Sequence, residues 1–266
     1  MGSSMSTGGL PGSVVDFGPA ALAAVVVAGY LVIGEPMVGH VLHRRFEGRL
    51  RSDPGARRSF YRRLLVLEWG LALLALVIWL SAPGVDAGEV GLRWPQQWPG
   101  PVTGLVVLVV LLFVVVSTRA LRSGALLDDA ATPRRPGEGR HAEPAAHATL
   151  AVLPRTAGER RLFTLVGVTA GVCEEWLYRG FFLAVVAALA GGLPTGVLVV
   201  AAAAAFGLAH AYQGRVGIVT TGLLGGVMAA IYLQTGSLLL PVLLHAVIDL
   251  RFLLVPARVL PAGQTA

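Results

Sequence analysis

Seven apolar segments, each long enough or nearly long enough to cross a bilayer, constrain this chain more than any other feature. A transmembrane helix needs about 20 mostly apolar residues, and backbone groups within lipid must be satisfied inside the protein, which favours helices. Hydrophobic residues make up 55% of the chain and charged residues only 14%, against about 25% charged residues in a soluble domain. We therefore predict an all-α, polytopic transmembrane helix bundle of about seven spans. The segments are residues 17–41, 64–82, 101–121, 160–190, 194–211, 215–233 and 237–256.

The distribution of arginine predicts how these spans are oriented. The basic residues are all arginines, and most lie in two loops between apolar segments, residues 43–63 and 118–161. Such loops stay on the cytoplasmic side of a membrane. Seven spans then place the amino terminus outside and the carboxyl terminus in the cytoplasm, in the inner (cytoplasmic) membrane of the cell. The net charge of +6 thus indicates topology and contact with the lipid bilayer, and we expect no nucleic-acid partner.

Charged residues interrupt the fourth apolar segment in the stretch GVCEEWLYRGFF, residues 171–182. A charge in the bilayer core costs about 2.5 to 3.5 kcal/mol even on a lenient scale. Glu175 and Arg179 are four residues apart, so on a helix they face each other and can form an ion pair. Glu174 points about 100° away and has no partner on its own helix. Taken alone, the three residues could equally form one structural brace.

Two further apolar segments carry polar residues at helical spacing. In FGLAHAYQG, Phe206 and His210 lie on one face, and in PVLLHAVIDLRF, His245 and Asp249 do the same. Asp249 could accept a hydrogen bond from one imidazole nitrogen of His245 and so fix its tautomer. His210 could instead be an interfacial residue, and the His–Asp pair could simply join helices. Intramembrane ionisable residues nevertheless mark functional sites.

Together, a glutamate, two histidines and an aspartate on three helices could activate a water molecule. Glu174, His210 and His245 also match the residue types of a zinc site, which makes zinc a candidate cofactor. The short H-E-x-x-H helix is absent, so such a site would have to be assembled across helices. Two other intramembrane carboxylates, Glu35 and Glu68, are placed outside the site: Glu68 is expected to reach the interface, and Glu35, before Pro36, to satisfy backbone groups.

The three polar motifs resemble those of a known family. EEWLYR (174–179), FGLAH (206–210) and HAVID (245–249) match the motifs EExxxR, FxxxH and HxxxN/D, in that order and on successive apolar segments. The chain thereby resembles the CPBP intramembrane proteases, which include the CAAX prenyl endopeptidases and the Abi-type bacterial proteins. The resemblance covers about residues 85–256 and is strongest from residue 160 onward.

The resemblance divides the chain into three regions. Residues 1–84 form an N-terminal region with two spans, residues 85–256 form the protease core, and residues 257–266 form a C-terminal tail. Within the core, residues 123–158 are rich in Pro, Ala and Arg without apolar periodicity, which predicts a mobile cytoplasmic loop.

The resemblance also implies roles for the motif residues. Glu174, together with His210, would activate the hydrolytic water, and His245 with Asp249 would stabilise the oxyanion. Glu175, Arg179 and Phe206 would support the site. The prenyl endopeptidases carry asparagine at the position of Asp249, and an ionised aspartate cannot donate to an oxyanion. We therefore expect Asp249 to orient His245. Whether the site needs a metal stays open.

These observations favour an intramembrane endopeptidase, with or without zinc, that cuts a membrane-associated peptide or protein. One alternative is a non-enzymatic Abi-type bacteriocin-immunity or membrane scaffold protein, which would tolerate the change Glu174→Gln. Another is a proton-coupled transporter. Transporters commonly show internal repeats, and this sequence shows none.

Overall fold

The computed structural model describes residues 9–50, 52–123, 143–257 and 260, and within these ranges it is helical and contains no strand. The all-α fold is therefore confirmed. A π-helical segment, Trp176–Phe182, joins the fifth and sixth helices, and 3₁₀ helices cover Val14–Ala20, Ala211–Gln213 and Arg251–Leu254. The α-helices are α1 (Ala21–Arg49), α2 (Ala56–Leu80), α3 (Pro101–Ser123), α4 (Glu143–Val152), α5 (Ala157–Glu175), α6 (Leu183–Ala190), α7 (Thr195–Ala209), α8 (Gly214–Thr235) and α9 (Leu239–Leu250).

Four helical stretches in the described ranges are long and apolar enough to cross a membrane. All seven segments predicted as spans are helical, but α7 is a shorter apolar helix, so the count of seven stays a prediction. Many large apolar side chains on these helices point outward, as they do where lipid surrounds a bundle. The four stretches are Val14–Arg49, Ala56–Leu80, Pro101–Ser123 and Ala211–Thr235.

The segment predicted as a loop over residues 123–158 contains a helix. Residues 124–142 lie outside the described residues, whereas α4 occupies Glu143–Val152. Two side chains of α2 bind the C-terminal end of α4. Arg57 Nε donates to the Ala151 carbonyl at 3.1 Å, and the Tyr61 hydroxyl donates to the Val152 carbonyl at 2.5 Å. Alanine-rich sequence has high helix propensity, which explains a helix where apolar periodicity is weak.

The helix that carries the paired glutamates is fixed at its start by a capping box. The Thr156 hydroxyl accepts from the Glu159 N–H at 3.2 Å, and the Glu159 carboxylate accepts from the Thr156 N–H at 2.9 Å. The Arg160 guanidinium also donates to the Leu253 carbonyl beyond α9. The first turn of α5 is therefore tied to the end of the last helix.

Small residues let α5 and α9 approach closely. A Cβ added to Gly171 would lie 3.1 Å from the Ala246 nitrogen and 3.1 Å from the Val242 oxygen, so a larger side chain has no room there. Two hydrogen bonds join α2 to α5 and to the π-helical segment that follows it. The Trp69 Nε1–H donates to the Thr169 hydroxyl, and the Trp176 Nε1–H donates to the Ala72 carbonyl, each at 3.1 Å. The paired glutamates are thus held between α2 and α9.

The remaining motif helix is positioned in the same way. A Cβ on Gly207 of α7 would lie 2.6 Å from the Ile218 carbonyl of α8, so these two helices are in close backbone contact. Arg93, in the segment before α3, binds the turn between α8 and α9 through two hydrogen bonds. Its Nε donates to the Gly236 carbonyl at 3.0 Å, and its carbonyl accepts from the Ser237 hydroxyl at 2.6 Å. These contacts place the ends of α7, α8 and α9 relative to α5.

Candidate active site

Glu175 and Arg179 form the ion pair that their spacing predicts. Arg179 Nη1 lies 3.0 Å from Glu175 Oε1, and both side chains have 0% exposure. Arg179 Nη2 also donates to the Gly225 carbonyl at 3.1 Å, and its Cζ lies 4.3 Å from the centroid of the Phe206 ring. A buried guanidinium is thus matched by a carboxylate, a carbonyl and an aromatic face.

The chain around this pair is π-helical rather than α-helical. The wider turn covers Trp176–Phe182, immediately after the paired glutamates. A Cβ on Gly180 would lie 2.9 Å from the Val90 carbonyl, so the segment before α3 packs directly on this turn. Single π-helical turns inside α-helices are frequently found at functional sites. Nothing in the sequence pattern predicts this turn.

Glu175 also orients His245, a role that the sequence assigned to Asp249. His245 Nδ1 donates to Glu175 Oε1 at 2.7 Å, whereas Asp249 Oδ2 lies 3.8 Å from His245 Nε2, beyond hydrogen-bond distance. The expectation that Asp249 fixes the tautomer is therefore corrected. The physical reason is that close packing of α5 against α9 brings Glu175 to Nδ1, while Asp249, one turn along, faces only the far edge of the ring.

Glu174 faces the other nitrogen of the same ring. Its Oε2 lies 3.8 Å from His245 Nε2, and this oxygen is buried with no hydrogen-bond partner among the described residues. The side chain of Glu174 is 18% exposed, against 0% for Glu175. Adjacent glutamates thus differ in exposure and contacts: Glu175 is fully buried and its Oε1 is shared by Arg179 and His245, whereas Glu174 is partly exposed. Oε2 of Glu175, like Oε2 of Glu174, has no hydrogen-bond partner among the described residues.

His210 lies beside this group rather than within it. Its Nδ1 donates to the Phe206 carbonyl on its own helix at 2.9 Å, which leaves Nε2 as the acceptor of the neutral ring. The centroid of the Phe206 ring is 4.7 Å from that of His210 and 5.9 Å from that of His245. Within the described ranges, no carboxylate oxygen lies within the 4.0 Å ion-pair distance of His210. The structure therefore brings Glu174, His245 and Asp249 together, with His210 across Phe206.

Two carboxylates that the sequence placed outside the site belong to the same cluster. Oε2 of Glu35 and Oε2 of Glu68 are buried and have no hydrogen-bond partner among the described residues. Glu68 interacts electrostatically with Glu174 and Asp249, and Glu35 interacts with Glu174. The Tyr178 hydroxyl, on the same side of the bundle, donates to the Leu31 carbonyl of α1 at 3.4 Å. Glu68, which the sequence expected to reach the interface, instead has a buried carboxylate oxygen, because α2 packs along α5.

The described residues show no assembled zinc site. Among residues 9–50, 52–123 and 143–257, no group of three His, Cys, Asp or Glu side chains is placed to hold a metal ion. Both histidines donate through Nδ1 to protein acceptors, which leaves Nε2 of each ring available as a ligand. The zinc requirement therefore stays a prediction from the residue types.

Comparison with known proteins agrees with the motifs. A family model described as Rce1-like, type II CAAX prenyl endopeptidase, matches residues 157–251. Comparison with curated proteins and with solved structures gives no match. The matched range begins at the first residue of α5 and ends just after α9, so it contains all three motifs. Together with the four long apolar helices, the match indicates an integral membrane protein. Residues 157–251 of this chain are therefore similar to the Rce1-like domain of the type II CAAX prenyl endopeptidases.

Proposed function

We propose that this protein is an intramembrane endopeptidase in which Glu174 activates the water that hydrolyses a peptide bond. One observation carries the proposal: Glu174 Oε2 is buried, has no hydrogen-bond partner among the described residues, and lies 3.8 Å from an imidazole nitrogen. Glu175 also has an unpaired oxygen, but its side chain is fully buried and paired with Arg179, whereas the side chain of Glu174 is 18% exposed and can be reached by water. A general base needs both an acceptor left free and access to its water.

The reaction divides between the two glutamates. The water oxygen attacks the carbonyl carbon of the substrate as Glu174 takes one of its protons, and the carbonyl electron pair moves onto the oxygen. Glu174 then returns the proton to the amide nitrogen, and the carbon–nitrogen bond breaks. Glu175 holds Nδ1 of His245 and stabilises the protonated ring, so that Nε2–H can donate to the oxyanion.

The neighbouring residues support this reaction in three ways. Arg179 neutralises Glu175 and keeps it from competing for the catalytic proton. His210, whose Nδ1 is already committed, can accept from the same water through Nε2. Asp249 lies 3.8 Å from His245 Nε2, where its negative charge favours the protonated ring.

The substrate is a membrane-associated peptide or protein, cut at a site within the inner (cytoplasmic) membrane. The amino terminus of the enzyme lies outside and its carboxyl terminus in the cytoplasm, as the arginine-rich loops indicate. The family match supports a protease. The position of Glu174 and His245 within apolar segments supports a site inside the membrane.

The direct test compares peptide termini in membranes that contain the wild-type protein, Glu174→Gln, or Glu89→Gln as a control carboxylate outside the cluster. New carboxyl termini should appear with the wild type and with Glu89→Gln, and should be absent with Glu174→Gln. Identical termini in all three membranes would instead favour a non-enzymatic scaffold in which the motif only braces the helices.

A further inference from the structure

A cavity of about 610 Å³ lies at the start of α2, away from the carboxylate cluster. Its polar side is formed by Arg58, Arg62 and Arg63. Its apolar side is formed by Leu42 of α1 and by Val66, one turn further along α2. A single cavity therefore joins a concentrated positive charge to an apolar wall.

The positive charge in this cavity is not neutralised by the described residues. No acidic side chain lines the cavity, and no hydrogen bond or ion pair involves the guanidinium groups of its three arginines within those ranges. Arg58 and Arg62 are four residues apart on one helix face, a spacing at which like charges repel. An anion bound between these side chains would remove the repulsion.

The two carboxylates nearest in sequence do not line the cavity: Glu68 follows Leu67 but has a buried Oε2, and Asp53 is engaged with other groups. Asp53 accepts from the Gly55 N–H at 2.7 Å and pairs with Arg49. The hydrogen bonds from Gly55 and from Arg49 hold the pKa of Asp53 below its usual value, so it remains charged and bound to those partners. It is therefore not a counter-ion for the cavity.

The position of the cavity along α2 indicates the type of anion that it binds. From Arg58 to Val66 the helix rises about 12 Å, which carries it from the arginine-rich loop into the first apolar turns of a candidate span. Val66 is 72% and Leu67 46% exposed on the outside of the bundle, where lipid chains lie. Arginine binds phosphate oxygens in a bidentate manner.

We propose that this cavity binds the headgroup of an anionic phospholipid. The three arginines bind the phosphate, the Ser59 hydroxyl donates to a headgroup oxygen, and the acyl chains lie along Leu42, Val66 and Leu67. Free inorganic phosphate shares the first part of this chemistry, but only a lipid also uses the apolar wall.

The test measures binding of phosphatidylglycerol to the full-length protein in detergent by native mass spectrometry. The double variant Arg62→Gln, Arg63→Gln removes two charges from the cavity. The control Arg44→Gln, Arg45→Gln removes two charges from exposed positions on α1 that do not line it. We expect Kd for phosphatidylglycerol to rise about tenfold or more in the first variant, the effect of losing one charge-assisted hydrogen bond or more, and to change less than threefold in the control.

Two further arms identify the ligand. Phosphatidylcholine should bind at least tenfold more weakly than phosphatidylglycerol, and inorganic phosphate should bind more weakly still. If the glutamine variant does not fold, Arg62→Lys, Arg63→Lys keeps the charge and should weaken phosphatidylglycerol binding by a smaller factor, because the guanidinium fork is lost. Equal losses in the cavity and control variants, or inorganic phosphate bound as tightly as the lipid, would overturn the proposal.

Discussion

At the scale of single residues, one oxygen atom links the two halves of the site. Glu175 Oε1 lies 3.0 Å from Arg179 Nη1 and accepts from His245 Nδ1 at 2.7 Å. The arginine therefore balances the carboxylate that orients the histidine, and Glu174 keeps its free oxygen. The charged side chains in this apolar segment thus comprise a fully buried ion pair and one partly exposed carboxylate, Glu174.

Changing Glu175 to glutamine should destabilise the protein. Arg179 would stay fully buried without its counter-charge, and breaking such a pair costs about 3 to 5 kcal/mol. The double variant Glu175→Gln, Arg179→Met removes the stranded charge and should regain part of that stability but no activity. Thermal melts in detergent, with a cleavage assay, measure both effects. Equal melting temperatures for the wild type and both variants would show that the pair is not a brace.

Changing Asp249 to asparagine should leave the enzyme active. Glu175 rather than Asp249 holds His245, and an asparagine amide can donate to an oxyanion. We expect the cleavage rate to stay within about tenfold of the wild type, less than the roughly 100-fold or greater loss expected for a general acid–base group. A loss of that larger size, measured with the same substrate, would return the orienting role to Asp249.

At the scale of the helices, the site depends on how closely α5 approaches α9. Gly171 lies at this contact, where a Cβ would meet backbone atoms of α9 at 3.1 Å. A Cβ added to Gly70 of α2 would instead meet no atom within 4 Å. The two glycines therefore separate the effect of helix packing from the general effect of adding a methyl group.

Gly171→Ala should lower both stability and activity, whereas Gly70→Ala should not. Overpacking costs about 1 to 3 kcal/mol, and a wider gap between α5 and α9 would move Glu174 away from His245. Alanine in an open helical position is instead neutral or stabilising by up to about 1 kcal/mol. Melting temperature and cleavage rate are measured for both variants, and a fully active Gly171→Ala protein would mean that the close approach does not set the site.

The helices themselves could be predicted from the sequence, but their contacts could not. Apolar length and turn residues were sufficient to locate all seven predicted helical segments, and spacing was sufficient for the Glu175–Arg179 pair. The bond from His245 to Glu175 joins residues 70 positions apart, so it depends on helix packing. The inward position of Glu68 has the same origin, and no sequence pattern predicts the π-helical turn that packs against Val90.

At the scale of the whole molecule, the predicted topology places two described loops on opposite sides of the membrane. Ser52 follows α1 and Ala87 follows α2, and both are exposed. The native Cys173 is 0% exposed and should not react. In intact cells, an impermeant thiol reagent should label Ala87→Cys from outside and should label Ser52→Cys only after the membrane is opened. The reverse pattern would contradict the assigned orientation; Gly137, in the other arginine-rich loop, lies outside the described residues.

The central claim is that Glu174 activates the water that cuts the substrate, and isotope transfer tests it most directly. A substrate identified from membrane termini is incubated in H₂¹⁸O with purified wild-type protein or with Glu174→Gln, both first shown to melt at the same temperature. The wild type should place one ¹⁸O atom in the new carboxyl terminus of the product, and Glu174→Gln should form no product. Labelled product from Glu174→Gln at the wild-type rate would contradict the assignment of Glu174 as the base.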